Sequence, residues 1–115
     1  MPYVDGFVIP VPKQNLEAYK RVAEAAAAIF KELGATRVVE CWGDDVKEGK
    51  VTDFHRAVQV GADENVVFSW IEYPSKEVRD QAVAKIMEDP RMEALEMPFD
   101  GKRMIFGGFV PLLDV

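Results

Sequence analysis

Cysteine and histidine are almost absent from this chain, with Cys41 and His55 their only representatives. One thiol cannot close an internal disulfide, so a cross-linked secreted scaffold is not expected. One imidazole without a second His or a nearby thiol partner lacks the usual spacing of a zinc site. Basic charge is also short: 14 Lys and Arg stand against 20 Asp and Glu, a net charge of -6. Without a basic footprint, neither nucleic acid nor an anionic membrane surface is an expected partner. No apolar run reaches the length of a membrane-spanning helix. The opening MPYVDGFVIP has no basic stretch before its apolar residues, so no export signal is expected and a reducing cytoplasm is the default setting. Neither GxxxxGK[ST] nor GxGxxG occurs, and no elbow-type serine accompanies the one histidine. No metal and no cofactor are expected.

What is present is the composition of an ordinary globular protein, 49% hydrophobic and 30% charged. The 115 residues fit one domain, 1–115. Residues 3–11 read as a strand ended by Pro10 and Pro12. A helix follows near Lys13 to Leu33, with Leu16, Tyr19, Ala23, Ala26, Ala27, Phe30 and Leu33 recurring at steps of three and four. Gly34 is placed as its left-handed stop. Thr36–Trp42 is a second strand. A polar connection of about twenty residues comes next, longer than most links, and its middle, Phe54–Val60, alternates well enough for a short strand. Val66–Tyr73 is a third strand. Ser75 is a good N-cap for a second helix running to about Glu88. Arg91–Glu96 reads as a further helical turn, Pro98–Lys102 as a turn, and Arg103–Val110 as the last strand. The order β-α-β-β-α-β, with right-handed crossovers, gives an α+β, ferredoxin-like domain: a four-stranded antiparallel sheet with two helices on one face.

Strand residues of alternate parity point to opposite faces. One parity holds small apolar residues: Val4, Gly6, Val8; Val39, Cys41; Val67, Ser69, Ile71; Met104, Phe106, Gly108, Val110. The other holds aromatics mixed with charges: Tyr3, Asp5, Phe7, Ile9; Val38, Glu40, Trp42; Phe68, Trp70, Glu72; Arg103, Ile105, Gly107, Phe109. We expect the first under the helices and the second on the open face. So large an apolar surface exceeds what a monomer normally exposes, and a two-fold sheet-on-sheet homodimer would cover it.

The residues with chemistry each have two readings. Asp5, Glu40 and Glu72 on a half-dry face would have raised pKa values and act as acid or base, with Arg103 holding an anion. Alternatively Arg103 pairs with these acids across strands and fixes register. Trp42 and Trp70, with Phe7 and Phe68, line a pocket for a planar ligand or anchor a dimer interface. His55 is a general base, a metal or haem ligand, or a surface residue of the long connection. Cys41, on the expected helix side, is a buried small hydrophobe. Gly107-Gly108 inside a strand marks a bulge or a close backbone approach.

Several stretches resemble the YbaA-like family of small bacterial proteins, the domain of unknown function 1428. They are Tyr3–Phe7 with Pro10 and Pro12, Glu40–Asp45, Val66–Tyr73 with Ser75, Asp89–Met92, and Met97–Met104 with Gly107-Gly108-Phe109. The resemblance spans nearly the whole chain and implies a ferredoxin-like fold of the dimeric α/β-barrel kind. It brings no activity with it; the wider superfamily includes cofactor-free oxygenases, haem-handling enzymes and small-molecule-binding modules, and fold does not choose among them. The leading expectation is a cytoplasmic homodimer binding a small, partly aromatic or anionic molecule through Trp42, Trp70 and Arg103. A cofactor-independent oxygenase or isomerase with a carboxylate base, and a ligand-free structural dimer, are the alternatives.

Overall fold

The computed structural model describes residues 1–115. Strand β1 spans Tyr3–Pro12 and runs into a 3-10 turn, Lys13–Asn15. Helix α1 covers Leu16–Glu32 and stops at Gly34, whose φ of +119° a Cβ-bearing residue rarely adopts. Strand β2 is Arg37–Trp42. The long connection contains one helical turn, α2 (Phe54–Ala57), capped by the Asp53 carboxylate accepting from the Arg56 backbone N–H at 2.8 Å. Strand β3 is Glu64–Tyr73. Helix α3, Lys76–Ile86, begins as expected at Ser75, whose Oγ accepts from the Val78 N–H at 3.2 Å. The turn α4, Pro90–Glu93, starts with proline at its first position behind an Asp89 cap. Strand β4 is Ile105–Phe109.

The four strands form one antiparallel sheet in the order β2-β3-β1-β4. The two β-α-β crossovers put α1 and α3 side by side on one face, the ferredoxin-like arrangement the element order predicts. Ile9, Val11, Tyr19 and Val67 form one core cluster, with Trp42 and Phe99 against it. Ala35, Ile71, Tyr73 and Ala82 form the other, with Phe30 and Val78 against it. Phe7 packs on both clusters.

Register corrects the expected faces of β1 and β2. Phe7 pairs with Ser69, Ile9 with Val67, Val38 with Ile71 and Trp42 with Val67, and directly paired residues share a face. Asp5, Phe7, Glu40 and Trp42 therefore lie on the helix side, and Val4, Gly6, Val8, Val39 and Cys41 on the open side. The reason is size matching between neighbouring columns. Under the helices, large residues of β1 and β2 flank the smaller Val67, Ser69 and Ile71 of β3, beneath an α1 stripe made thin by Ala23. On the open face the order reverses: Phe68 and Trp70 of β3, and Ile105 and Phe109 of β4, stand on either side of a small β1 column. Cys41 is accordingly exposed rather than buried.

Other corrections concern the connection. Phe54–Ala57 is a helical turn rather than a strand, and the Asp53 carboxylate caps it by accepting the otherwise free N–H of Arg56. Arg103 lies in the turn ahead of β4, and not in the strand. Its guanidinium forks onto Glu64, both bonds 2.7 Å, and also donates to Asp100 at 2.9 Å and to the Gln59 carbonyl at 2.8 Å. It pairs with acids as one reading proposed, yet with Glu64 and Asp100 instead of Asp5, Glu40 or Glu72. This clamp ties the long connection to the start of β4, and Val58, 1% exposed, plugs the connection from within.

Candidate functional site

The open sheet face carries a trough of about 630 Å³. Its floor is the β1 column Val4, Gly6 and Val8, with Gly107 of β4 directly opposite Gly6. One wall is Phe68 and Trp70, 5.8 Å apart. The other is Ile105 and Phe109. Two facing glycines leave backbone where side chains would stand, and this makes the face concave. Phe7 and Phe106 also border the trough, although they pair on the helix side, where their rings stack at 6.0 Å with an inclination of 23°. At one end Phe54 of α2 meets Phe68 edge-on, at 5.8 Å and 84°. At the other the wall turns polar: the Trp70 indole Nε1 donates to Glu72 Oε2 at 2.8 Å, and Arg37 Nη1 stands 3.6 Å from the same oxygen.

The structure thus brings Phe68, Trp70 and Glu72 together on the open face, and Phe7 borders their trough from the helix side. It sends the other expected site residues elsewhere. Trp42 packs against the core beneath the helices, and Arg103 clamps the connection. His55 sits half-buried on α2, beside Phe54 but off the trough wall.

Glu40 lies on the helix side, where it accepts the Tyr19 hydroxyl at 2.6 Å. Burial pushes its carboxyl above the ordinary range, and the hydrogen bond from Tyr19 only partly offsets this. Tyr19 in turn is held well above the usual phenol range by burial and by that carboxylate. The pair borders a second groove, about 300 Å³, between α1 and β2.

Asp5 also faces α3, with Arg79 Nε 3.3 Å from its carboxylate. Burial raises its pKa, against the lowering effect of Arg79. The Arg79 guanidinium lies 4.6 Å from the Tyr3 ring centre and donates to the Tyr3 hydroxyl at 2.8 Å. Gly108 is the close approach expected of the glycine pair: a Cβ there would overlap Arg79 Nη2 and the Tyr3 hydroxyl. The Tyr73 hydroxyl is buried in this region without a hydrogen-bond partner.

Sequence reading missed the Tyr19–Glu40 and Asp5–Arg79–Tyr3 groups, because each joins a strand to a helix. The signal was the charge of Asp5 and Glu40 beside apolar neighbours; the partner was not readable. No three of His, Cys, Asp and Glu come together as a metal-binding group, and no helix is long and apolar enough to cross a membrane.

With this geometry in place, comparison with known proteins gives a consistent answer. Among solved structures, the chain is similar to SnoaB, a cofactor-independent oxygenase from Streptomyces nogalater: TM-score 0.64, 15% identity, 99% of this chain and 96% of that one. It is also similar to a dimeric ferredoxin-like protein from an uncultured marine organism, with TM-score 0.60, 10% identity and both chains fully covered. At these identities the likeness shows the ferredoxin-like fold alone. In sequence it is 60% identical to Escherichia coli K12 "Uncharacterized protein YbaA" over 116 aligned positions, 99% of each chain. The family described as "Protein of unknown function (DUF1428)" matches residues 2–101, and the chain belongs to that family.

Proposed function

We propose that this protein is a homodimeric small-molecule-binding module. Two copies stack their open sheet faces about a two-fold axis, and the trough becomes an enclosed pocket for a flat, largely apolar ligand. The observation that carries this reading is the trough itself. Its volume, about 630 Å³, falls within the size range of small-molecule sites, and its walls are apolar with a polar end at Glu72 and Arg37. The same face leaves Phe68, Ile105 and Phe109 between 46% and 61% exposed, an apolar patch that calls for a cover. A similar solved structure is that of a dimeric ferredoxin-like protein, which supports a dimer here. A cytoplasmic setting belongs to this reading, since the exposed thiol of Cys41 on the docking face stays reduced there. The Trp70 ring would stack on the ligand and Glu72 would orient a hydroxyl or amino group.

Turnover is the second reading, carried by Glu72. Of the three acids expected from sequence it is the one beside the trough, so a cofactor-independent oxygenase or isomerase would take its base from there and not from Asp5 or Glu40.

The test joins light scattering with a thermal-shift screen of planar aromatic metabolites. A dimer mass is expected, with at least one compound raising the melting temperature by several degrees. Phe109→Asp should split the dimer, and Trp70→Ala should abolish the ligand shift. A monomer that no compound stabilises overturns the proposal. Loss of turnover in Glu72→Gln with binding retained would favour the enzyme.

A further inference from the structure

We propose that residues 110–115 of each copy reach across the dimer and close the partner's trough, so that the binding pocket is completed by leucines of the second subunit. This rests on the sheet-to-sheet dimer above. Val110, Leu112, Leu113 and Val115 are 57%, 100%, 79% and 109% exposed, an apolar segment with nothing beneath it on its own subunit. The segment leaves the sheet where it must: β4 ends at Phe109 opposite Val4, and β1 itself begins one residue earlier, at Tyr3, so little strand remains to pair with. Pro111 then keeps Val110 extended and supplies no N–H for a ladder. Phe109 is both the last residue of β4 and a wall of the trough, so the segment starts from the rim of the docking face.

Reach and area point to a second copy. Six extended residues span about 20 Å, and packed sheets stand about 10 Å apart, so the segment can cross the gap and lie along the opposing face. Two strands of ten residues and two of six and five, spaced about 4.8 Å apart, offer a projected face of roughly 500 Å². A standard interface takes about 800 Å² from each partner. Leucines from the crossing segments supply apolar area that the sheet faces alone do not. The closed pocket then has one subunit's Phe68 and Trp70 as wall and Leu112 or Leu113 of the partner subunit as lid.

The experiment compares the full chain with a chain ending at Val110 and with a full-length Leu112→Ser/Leu113→Ser variant, circular dichroism confirming that each is folded. Dimer dissociation is measured by analytical ultracentrifugation, and pocket closure by the fluorescence of Nile red, a neutral apolar dye. In both variants we expect dimer dissociation constants higher by about tenfold or more, since two leucines leave the interface, together with weakened dye binding. An unchanged dimer with weakened dye binding overturns the proposal, because the segment then covers its own trough. A weakened dimer with unchanged dye binding overturns the closing role, and no change in either overturns both parts while leaving the sheet dimer standing. A full chain that is monomeric at every concentration removes the dimer reading and this proposal with it.

Discussion

Gly108 shows how narrowly a single position is determined. It pairs with Asp5 on the helix side of the sheet, and the Arg79 guanidinium occupies the space its side chain would take. Arg79 is fixed there from several directions, by Asp5, by Asp80 at 3.0 Å and by the Tyr3 ring and hydroxyl. Gly108→Ala should therefore destabilise the chain by about 1–3 kcal/mol, the usual penalty for overfilling a packed site. Urea unfolding measures this, and an unchanged midpoint would mean that the arginine is loosely held. Gly34 is determined for a different reason, its backbone conformation, and that one was readable from its place just past a helix.

At the level of elements, local signals carried far. Ser75 before Lys76 marked the start of α3, and the structure makes the cap bond to Val78. Ser75→Ala should cost about 1 kcal/mol, measured by thermal or urea unfolding, with Ser75→Asp restoring most of the loss. Strand number, order and both main helices were legible because period, caps and breakers lie within a few residues of each other. The faces of β1 and β2 were not. Alternation tells which residues of a strand share a side, and leaves open which side meets the helices. Grouping by residue type put Trp42 with Trp70, whereas cross-strand pairing puts Trp42 beside Val67 and Trp70 beside Gly6. The missing information was the bulk of the covering helix, since an alanine-lined α1 leaves room beneath it for Phe7 and Trp42. Half of the trough was legible, namely Phe68, Trp70 and the β4 residues. Its floor was not, because Val4, Gly6 and Val8 looked like helix-facing residues. The turn α2 also had a local signal that the alternation of Phe54–Val60 obscured: Asp53 stands three residues before the N–H it caps.

For the whole molecule, charge pairing sets the response to acid. Glu32, Asp53, Glu64, Asp89 and Asp100 are held below the ordinary carboxylate range, by Arg91 for Glu32 and Asp89, by the Arg56 backbone N–H for Asp53, and by Arg103 for Glu64 and Asp100. Their contribution is present above the unfolded values of about 4 and is lost as pH falls through the folded ones. Asp5 and Glu40 act in the opposite sense, since burial makes the folded chain hold their protons more tightly and their contribution grows as pH falls. Urea midpoints measured from pH 7 to pH 3 should fall below about pH 4, and Glu40→Gln, which removes one opposing group, should make the fall steeper; a flat profile would contradict this. The sheet that bears Asp5 and Glu40 on its helix side has on the other a floor of two facing hydrogens, at Gly6 and Gly107. A methyl group at either would meet the Phe109 ring at 3.5–3.7 Å, ordinary contact without strain. The depth of this hollow is therefore free to vary a carbon at a time while the scaffold stays intact, which makes the glycine pair a gauge by which related chains could be tuned to guests of different thickness.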